Sequence, residues 1–237
     1  MKKSDDNYQA VLLEDSSITS LPKPEILALD LDLTLHNVIK HYDESVNETL
    51  KHFGHESLTE EQLKNTSDNF TNTKDLFAKF LPAECLDLAV EYYCNHFLNR
   101  EIPMRAIIPG ARELLCIIKK RFKLPIIGVT NSEEYIAKKI LQDLGALSWF
   151  DYIIGIKDEY LPKPDSQMLL IALNSIGAKP GPHVWFMGDR ASDTQCAKQT
   201  NCTAIRFYHK IKPHDPNADL FINSHYHLFN IISTKLK

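Results

Sequence analysis

The sequence predicts an α/β fold, a parallel sheet covered on both faces by helices, with an all-α segment inserted after the first strand. Three observations carry that prediction. From Ala111 onward, short apolar runs alternate with amphipathic stretches of helical period, the pattern of strands joined by helical crossovers. The run ILALDLDLTL, Ile26 to Leu35, is apolar until it meets two carboxylates, as a strand buried on both faces would be. Between these regions, from His36 to about Pro103, apolar residues return every three or four positions and no clear strand pattern occurs.

Length and composition set the outer bounds. A chain of 237 residues that is 43% hydrophobic suits one large domain, or a domain carrying an insertion. A formal charge of -4 and a pI near 6.2, with Lys and Arg scattered, argue against nucleic acid as a partner. The five cysteines form no CxxC pair, and MKKSDDNYQA lacks the apolar core of a secretory signal, so the expected location is a reducing cytoplasm. No apolar run approaches the roughly 20 residues of a membrane span. Monomer and homodimer both stay open.

Taken in order, residues 1–24 read as an N-terminal extension of low or conditional order that ends in LPKP, with VLLED as a possible short packing element. The first strand runs from about Glu25 to Asp30. Residues 36–103 form the helical insertion, with Gly54 and Pro82 as breaks and a stripe of Leu86, Val90, Cys94 and Phe97 that reads as core. Residues 25–35 and 104–237 form the α/β core. Its strands are LPIIGVT, DYIIGI, HVWFMG, TAIRF and a short DLFIN, and its helices are ARELLCIIKKRF, NSEEYIAKKILQDLG, a segment from about Asp165 to Gly177, ASDTQCAKQ and HLFNIIS. Asn131 or Ser132 is the expected cap of the second of these helices, and Gly145 its stop.

In a parallel sheet the carboxyl ends of the strands share one rim. Asp30 and Asp32 lie at the end of the first strand, Thr130 and Asn131 at the end of the next, Lys163 after the third, and Asp189 and Asp193 after the fourth. Two carboxylates one residue apart repel and need a compensating cation or donors. Asp30, Asp32 and Asp189 offer hard oxygen ligands that suit Mg²⁺, and no grouped His/Cys set competes. The pair His225 and His227, two apart, shares no helix face and makes a weak metal site. Thr130 and Lys163 suit phosphoryl oxygens, Thr34 adds a hydroxyl, and a carboxylate can attack phosphorus to form an acyl phosphate.

The set DLDLT, GVTNS, LPKP and GDRASD, in that order, resembles the four motifs of the haloacid dehalogenase superfamily. The helical insertion after the first motif resembles the cap of the subfamily that includes phosphoglycolate phosphatases. The resemblance implies a Rossmann-like core with a mobile α-helical cap, and a Mg²⁺-dependent phosphatase of a small phosphorylated metabolite. By that analogy Asp30 is the nucleophile and Asp32 the general acid/base. The metal is held by the Asp30 side chain, the Asp32 carbonyl and Asp189. Thr130, Asn131 and Lys163 bind the phosphoryl group, with Asp193 and Thr34 in support. Leu33 departs from the Gly or Asn of many relatives, which puts the turn after Asp32 in question, and the cap carries no recognisable specificity signature.

Other readings of the same residues have to be weighed. Asp-x-Asp-x-Thr as an EF-hand loop fails because the spacing demands Gly at position 35 and Glu at position 41, where Leu35 and His41 stand. Lys163 read alone is a loop lysine, and Thr130 to Ser132 read alone are a helix cap; four rim positions agreeing in order favour a site. His36, Asn37, His41 and Tyr42 fall where a cap hinge and pocket mouth are expected. Competing functions are a phosphomutase, a dehalogenase, and a non-catalytic phosphate-binding or phospho-accepting signalling protein. Length, the acid pair and the large insertion weigh against the signalling reading.

Overall fold

A computed structural model of the chain describes residues 16–67, 73–103, 106–157 and 159–236. Six strands form one parallel sheet: β1 (Ile26–Leu29), β2 (Ile126–Glu133), β3 (Tyr152–Ile156), β4 (Val184–Gly188), β5 (Thr203–Phe207) and β6 (Leu220–Ile222). Their order across the sheet is β3-β2-β1-β4-β5-β6. The crossovers run one way from β1 and then the other, so the sheet reverses direction beside β1 and β4. That is where an open α/β sheet leaves a crevice at its carboxyl edge.

Alternation along the central strands divides the core in two. Leu27, Leu29, Trp185 and Met187 face one cluster, while Ile26, Ala28, Val184 and Phe186 face the other. The second cluster is covered by α8 (Gln167–Ser175) and α9 (Ala191–Gln199) through Met168, Leu169, Ala172, Leu173, Cys196 and Ala197. The first is covered by α6 (Ala111–Ile117), α7 (Glu134–Asp143) and α10 (His225–Lys235). A sheet buried on both sides explains why its strands read as continuous apolar runs.

The insertion is helical as expected: α2 (Ile39–His52), α3 (Glu60–Ser67), α4 (Thr73–Phe77) and α5 (Leu86–Leu98). Gly54 takes φ +80 just past α2, and Pro82 precedes a single 3₁₀ turn leading into α5. Cys94 and Phe97 are buried and Leu86 and Val90 pack beside them, so the α5 stripe is core. Phe97 stacks on Tyr42 of α2 at 4.9 Å.

Three readings need correction. Helix α7 starts at Glu134, and neither Asn131 nor Ser132 caps it, because β2 continues through Glu133 and both side chains are engaged elsewhere. Gly155 permits that close passage, since a Cβ there would lie 2.4 Å from the Ser132 carbonyl. The last helix starts earlier than expected, with the Ser224 hydroxyl accepting from the Tyr226 N–H. Residues 16–24 are not simply a loose tail: α1 (Ser16–Ser20) buries Ile18, and Lys235 of α10 donates to the carbonyls of Thr19 and Leu21. VLLED lies outside the described residues. Among the described residues no helix is long and apolar enough to cross a membrane, and all five cysteines are free thiols.

Candidate active site

Asp30 leaves β1 between its neighbours β2 and β4, and its N–H donates to the Met187 carbonyl of β4 at 2.9 Å. The residue is 6% exposed. The Thr34 hydroxyl donates to one carboxylate oxygen at 3.0 Å, and Lys163 Nζ donates to the other at 2.7 Å. Lys163 also reaches the Val129 carbonyl at 2.7 Å and Asp193 Oδ1 at 2.7 Å. An ammonium has three hydrogens, and here each has an oxygen.

Burial of this lysine is made possible by its backbone. Asn131 Nδ2 donates to the Lys163 carbonyl at 3.0 Å while the Lys163 N–H donates to Asn131 Oδ1 at 2.8 Å. The loop after β3 is thereby fastened to the end of β2. Asn131, expected to bind phosphate, instead has its side-chain amide committed to positioning Lys163. Asp193 is buried too, and its other oxygen accepts the Arg190 N–H at 2.9 Å. Gly188 gives it room: a Cβ at that position would lie 2.2 Å from the Asp193 carboxyl group.

The Asp30, Asp189 and Asp193 carboxylates converge, with one oxygen from each lying within 4.8 Å of the others. Lys163 is the buried cation among them. Burial pushes the Asp30 carboxyl up to about 7, with Lys163 opposing and Asp193 and Asp32 adding to the rise. Burial, then Asp30 and Asp193, hold Asp189 well above the usual carboxylate range. Three acids around one lysine leave negative charge in excess, and their donors are all hard oxygens. The set therefore fits a hard divalent cation.

Asp32 has a different environment. It is 29% exposed, and its oxygens accept from hydroxyls: Tyr42 at 3.0 Å, Ser132 at 2.7 Å and, more distantly, Thr130 at 3.5 Å. The His36 ring lies 3.7 Å away, and its neutral form is favoured because burial lowers its pKa. Leu33 adopts φ +58, so the left-handed turn after Asp32 forms despite the missing Gly. It is held from both sides, Leu33 N–H donating to the His36 carbonyl at 2.7 Å and His209 Nε2 to the Leu33 carbonyl at 2.8 Å.

The rim residues read from the sequence thus come together, with the nucleophile candidate in the interior and Asp32 at the cleft. Two participants were not assigned a role: Ser132, read only as a cap, and Tyr42 of α2, noted only for its position near the expected hinge. The TNS tripeptide held a signal for Ser132, since β2 alternation puts it on the Thr130 side of the strand. Tyr42 reaches Asp32 only through the folding of the insertion over the rim.

A description of the haloacid dehalogenase-like hydrolases matches residues 27–207. A phosphoglycolate phosphatase of Chromobacterium violaceum is 25% identical over 216 residues, covering 87% of this chain and 95% of its own. A phosphoglycolate phosphatase of Aquifex aeolicus is 27% identical over 194 residues, covering 79% and 86% respectively. The crystal structure of CbbY from Rhodobacter sphaeroides in complex with phosphate superposes with a TM-score of 0.75 at 18% identity, covering 86% of this chain and 96% of that one. The family match spans β1 through β5, and Asp30, Asp32, Thr130, Lys163, Asp189 and Asp193 all fall within it, so the chain belongs to the haloacid dehalogenase-like hydrolases and is a hydrolase.

Proposed function

We propose that the chain is a Mg²⁺-dependent phosphomonoesterase of a small phosphorylated metabolite, working through an aspartyl phosphate, in a reducing cytoplasm. The observation that carries this reading is the contrast between two adjacent acids. Asp30 is buried against Lys163 and Thr34, whereas Asp32 is part-exposed and accepts from the hydroxyls of Tyr42 and Ser132. The names of the relatives support the same reaction class.

A carboxylate oxygen of Asp30 attacks phosphorus, and the bond from phosphorus to the ester oxygen breaks. Asp32 delivers its proton to that leaving oxygen. In the second half, Asp32 takes a proton from water as the water attacks the aspartyl phosphate, regenerating Asp30 and releasing phosphate. Lys163 fixes Asp30 and carries positive charge into the site, and the Thr130 hydroxyl donates to the phosphoryl group. Asn131 and Asp193 hold Lys163 in place. The Asp30 and Asp189 carboxylates and the Asp32 carbonyl would hold Mg²⁺, which when bound would neutralise charge on the anionic phosphoryl group. Closure of the helical insertion over the rim keeps bulk water from the acyl phosphate.

Phosphate release from a panel of phosphorylated metabolites, with and without Mg²⁺, tests the proposal, with Asp30→Asn alongside. Hydrolysis that survives Asp30→Asn, or none with any ester in Mg²⁺, would overturn it.

A further inference from the structure

The turn that follows Asp32 is strained, and a side chain from two strands away bonds to it. Among the described residues, three that are not glycine have positive φ. Lys123 and Asn201 follow helix ends, where a left-handed residue terminates the helix. Leu33, at φ +58, stands instead between Asp32 and Thr34. For a residue with a Cβ the left-handed conformation is disfavoured by a factor of about ten. The turn's own bonds, Leu33 N–H to the His36 carbonyl at 2.7 Å and Leu35 N–H to the Leu31 carbonyl at 2.8 Å, join backbone to backbone. They favour the turn whatever residue occupies position 33, so they do nothing particular to offset the leucine.

His209 adds a bond from outside. It lies two residues past β5, and its Nε2 donates to the Leu33 carbonyl at 2.8 Å. A carbonyl only accepts, so that nitrogen carries a proton. The imidazole is itself placed by its neighbours. It stands perpendicular to the buried Phe207 ring with centroids 5.1 Å apart, and the Tyr208 N–H between them donates to the Ile222 carbonyl of β6 at 2.9 Å. A ring already held in place loses little freedom when it bonds. One such hydrogen bond shifts an equilibrium by about tenfold, the size of the left-handed cost it opposes. Both neighbours of Leu33 matter to the proposed reaction: Asp32 is its acid and base, and the Thr34 hydroxyl donates to Asp30 at 3.0 Å.

We propose that His209 is a positioning residue, which by bonding the Leu33 carbonyl holds the left-handed turn and so sets both Asp32 and Thr34 in place. The effect on catalysis rests on the phosphomonoesterase reading; the effect on the turn does not. The test is a cycle of the parent, His209→Phe, Leu33→Gly and the double variant, with His209→Gln beside it. Phenylalanine keeps a ring against Phe207 and loses the donor, while the glutamine amide retains one. With p-nitrophenyl phosphate and Mg²⁺, His209→Phe is expected to lower kcat about tenfold with KM changed less than about twofold, and His209→Gln to recover most of the loss. In the Leu33→Gly background His209→Phe lowers kcat less than about twofold, because glycine takes the left-handed conformation unaided. Urea unfolding in EDTA reads the same coupling without turnover: His209→Phe shifts the folding equilibrium about tenfold in the parent and about twofold or less beside Leu33→Gly. The effect of glycine on the unfolded chain cancels across the cycle. No loss from His209→Phe in the parent, or a loss of equal size in both backgrounds, overturns the proposal. If the parent hydrolyses no ester the phosphatase reading falls, while the unfolding cycle still decides whether His209 holds the turn.

Discussion

Replacing Lys163 with Met keeps most of the side-chain volume and removes the single charge that three oxygens share. Each of those oxygens lies 2.7 Å from Nζ, and Lys163 is 2% exposed. Breaking a buried ion pair from one side costs about 3–5 kcal/mol, because the carboxylate left behind is neither solvated nor paired. The orphaned Val129 carbonyl adds about 1–3 kcal/mol, less than additively, since the acids can take up protons. Against a total stability of about 5–15 kcal/mol the loss is large but leaves a folded protein to measure. The dependence on pH identifies the cause. Asp30, already raised to about 7 by burial, rises further once Lys163 is gone. A carboxyl whose folded pKa lies above its unfolded one stabilises the fold below the unfolded value and loses that contribution as pH rises through the folded value. The deficit of Lys163→Met is thus larger near pH 8 than near pH 5. Urea unfolding followed by circular dichroism in EDTA measures it at both. Equal midpoints for the two proteins, or a deficit that does not shrink in acid, would refute the reasoning.

In the unsubstituted protein without divalent cation, the same sign makes stability relative to Asp30→Asn fall as pH rises from about 4 through about 7. Thermal melts in EDTA check this, and a pH-independent difference contradicts it. Saturating Mg²⁺ near pH 7.5 raises the melting point, by about 3 kcal/mol of stability at a hundredfold excess over Kd, and Asp189→Asn removes most of that gain. Tyr42→Phe keeps the stack on Phe97 but loses the hydroxyl on Asp32, so kcat falls about tenfold while stability changes by about 1 kcal/mol or less. An unchanged kcat would remove Tyr42 from the site. Gly188→Ala places a methyl 2.2 Å from the Asp193 carboxyl and costs about 1–3 kcal/mol in denaturant titration, with weakened hydrolysis as Lys163 shifts.

The sheet was legible because burial on both faces writes itself as unbroken apolar runs. Ile26 to Leu29 and Val184 to Gly188 have no solvent side, so no polar alternation interrupts them, and the acid that follows each run marks the rim. Strand order was not legible: that β1 sits between β2 and β4 follows from which crossovers reverse, and no residue encodes that locally. The end of β2 was misjudged for a physical reason. Asn131 and Ser132 are good cap residues, yet tertiary partners outbid the local preference, one binding Lys163 thirty-two positions away and the other Asp32 a hundred positions back.

The same contrast separates the rim residues from those that the insertion brings to them. Asp30, Lys163 and Asp193 follow strands whose positions in one rim are set by the parallel sheet, so their meeting can be inferred from strand order of appearance and residue type alone. Tyr42 meets Asp32 and Ser132 only because α2 and α5 fold over that rim, and the insertion's sequence shows helical period without showing which face turns inward. Tyr42 reads as one aromatic among several until Phe97 and Tyr93 stack behind it and Asp32 accepts its hydroxyl. Glu133 reads as the first turn of a helix until β2 is found to extend through it. The proposed reaction chemistry is therefore held by the part of the fold that sequence patterning specifies strongly. The contacts between insertion and rim are held by side chains whose direction depends on how the insertion packs, as the Tyr42 hydroxyl on Asp32 and the Tyr42 ring on Phe97 do.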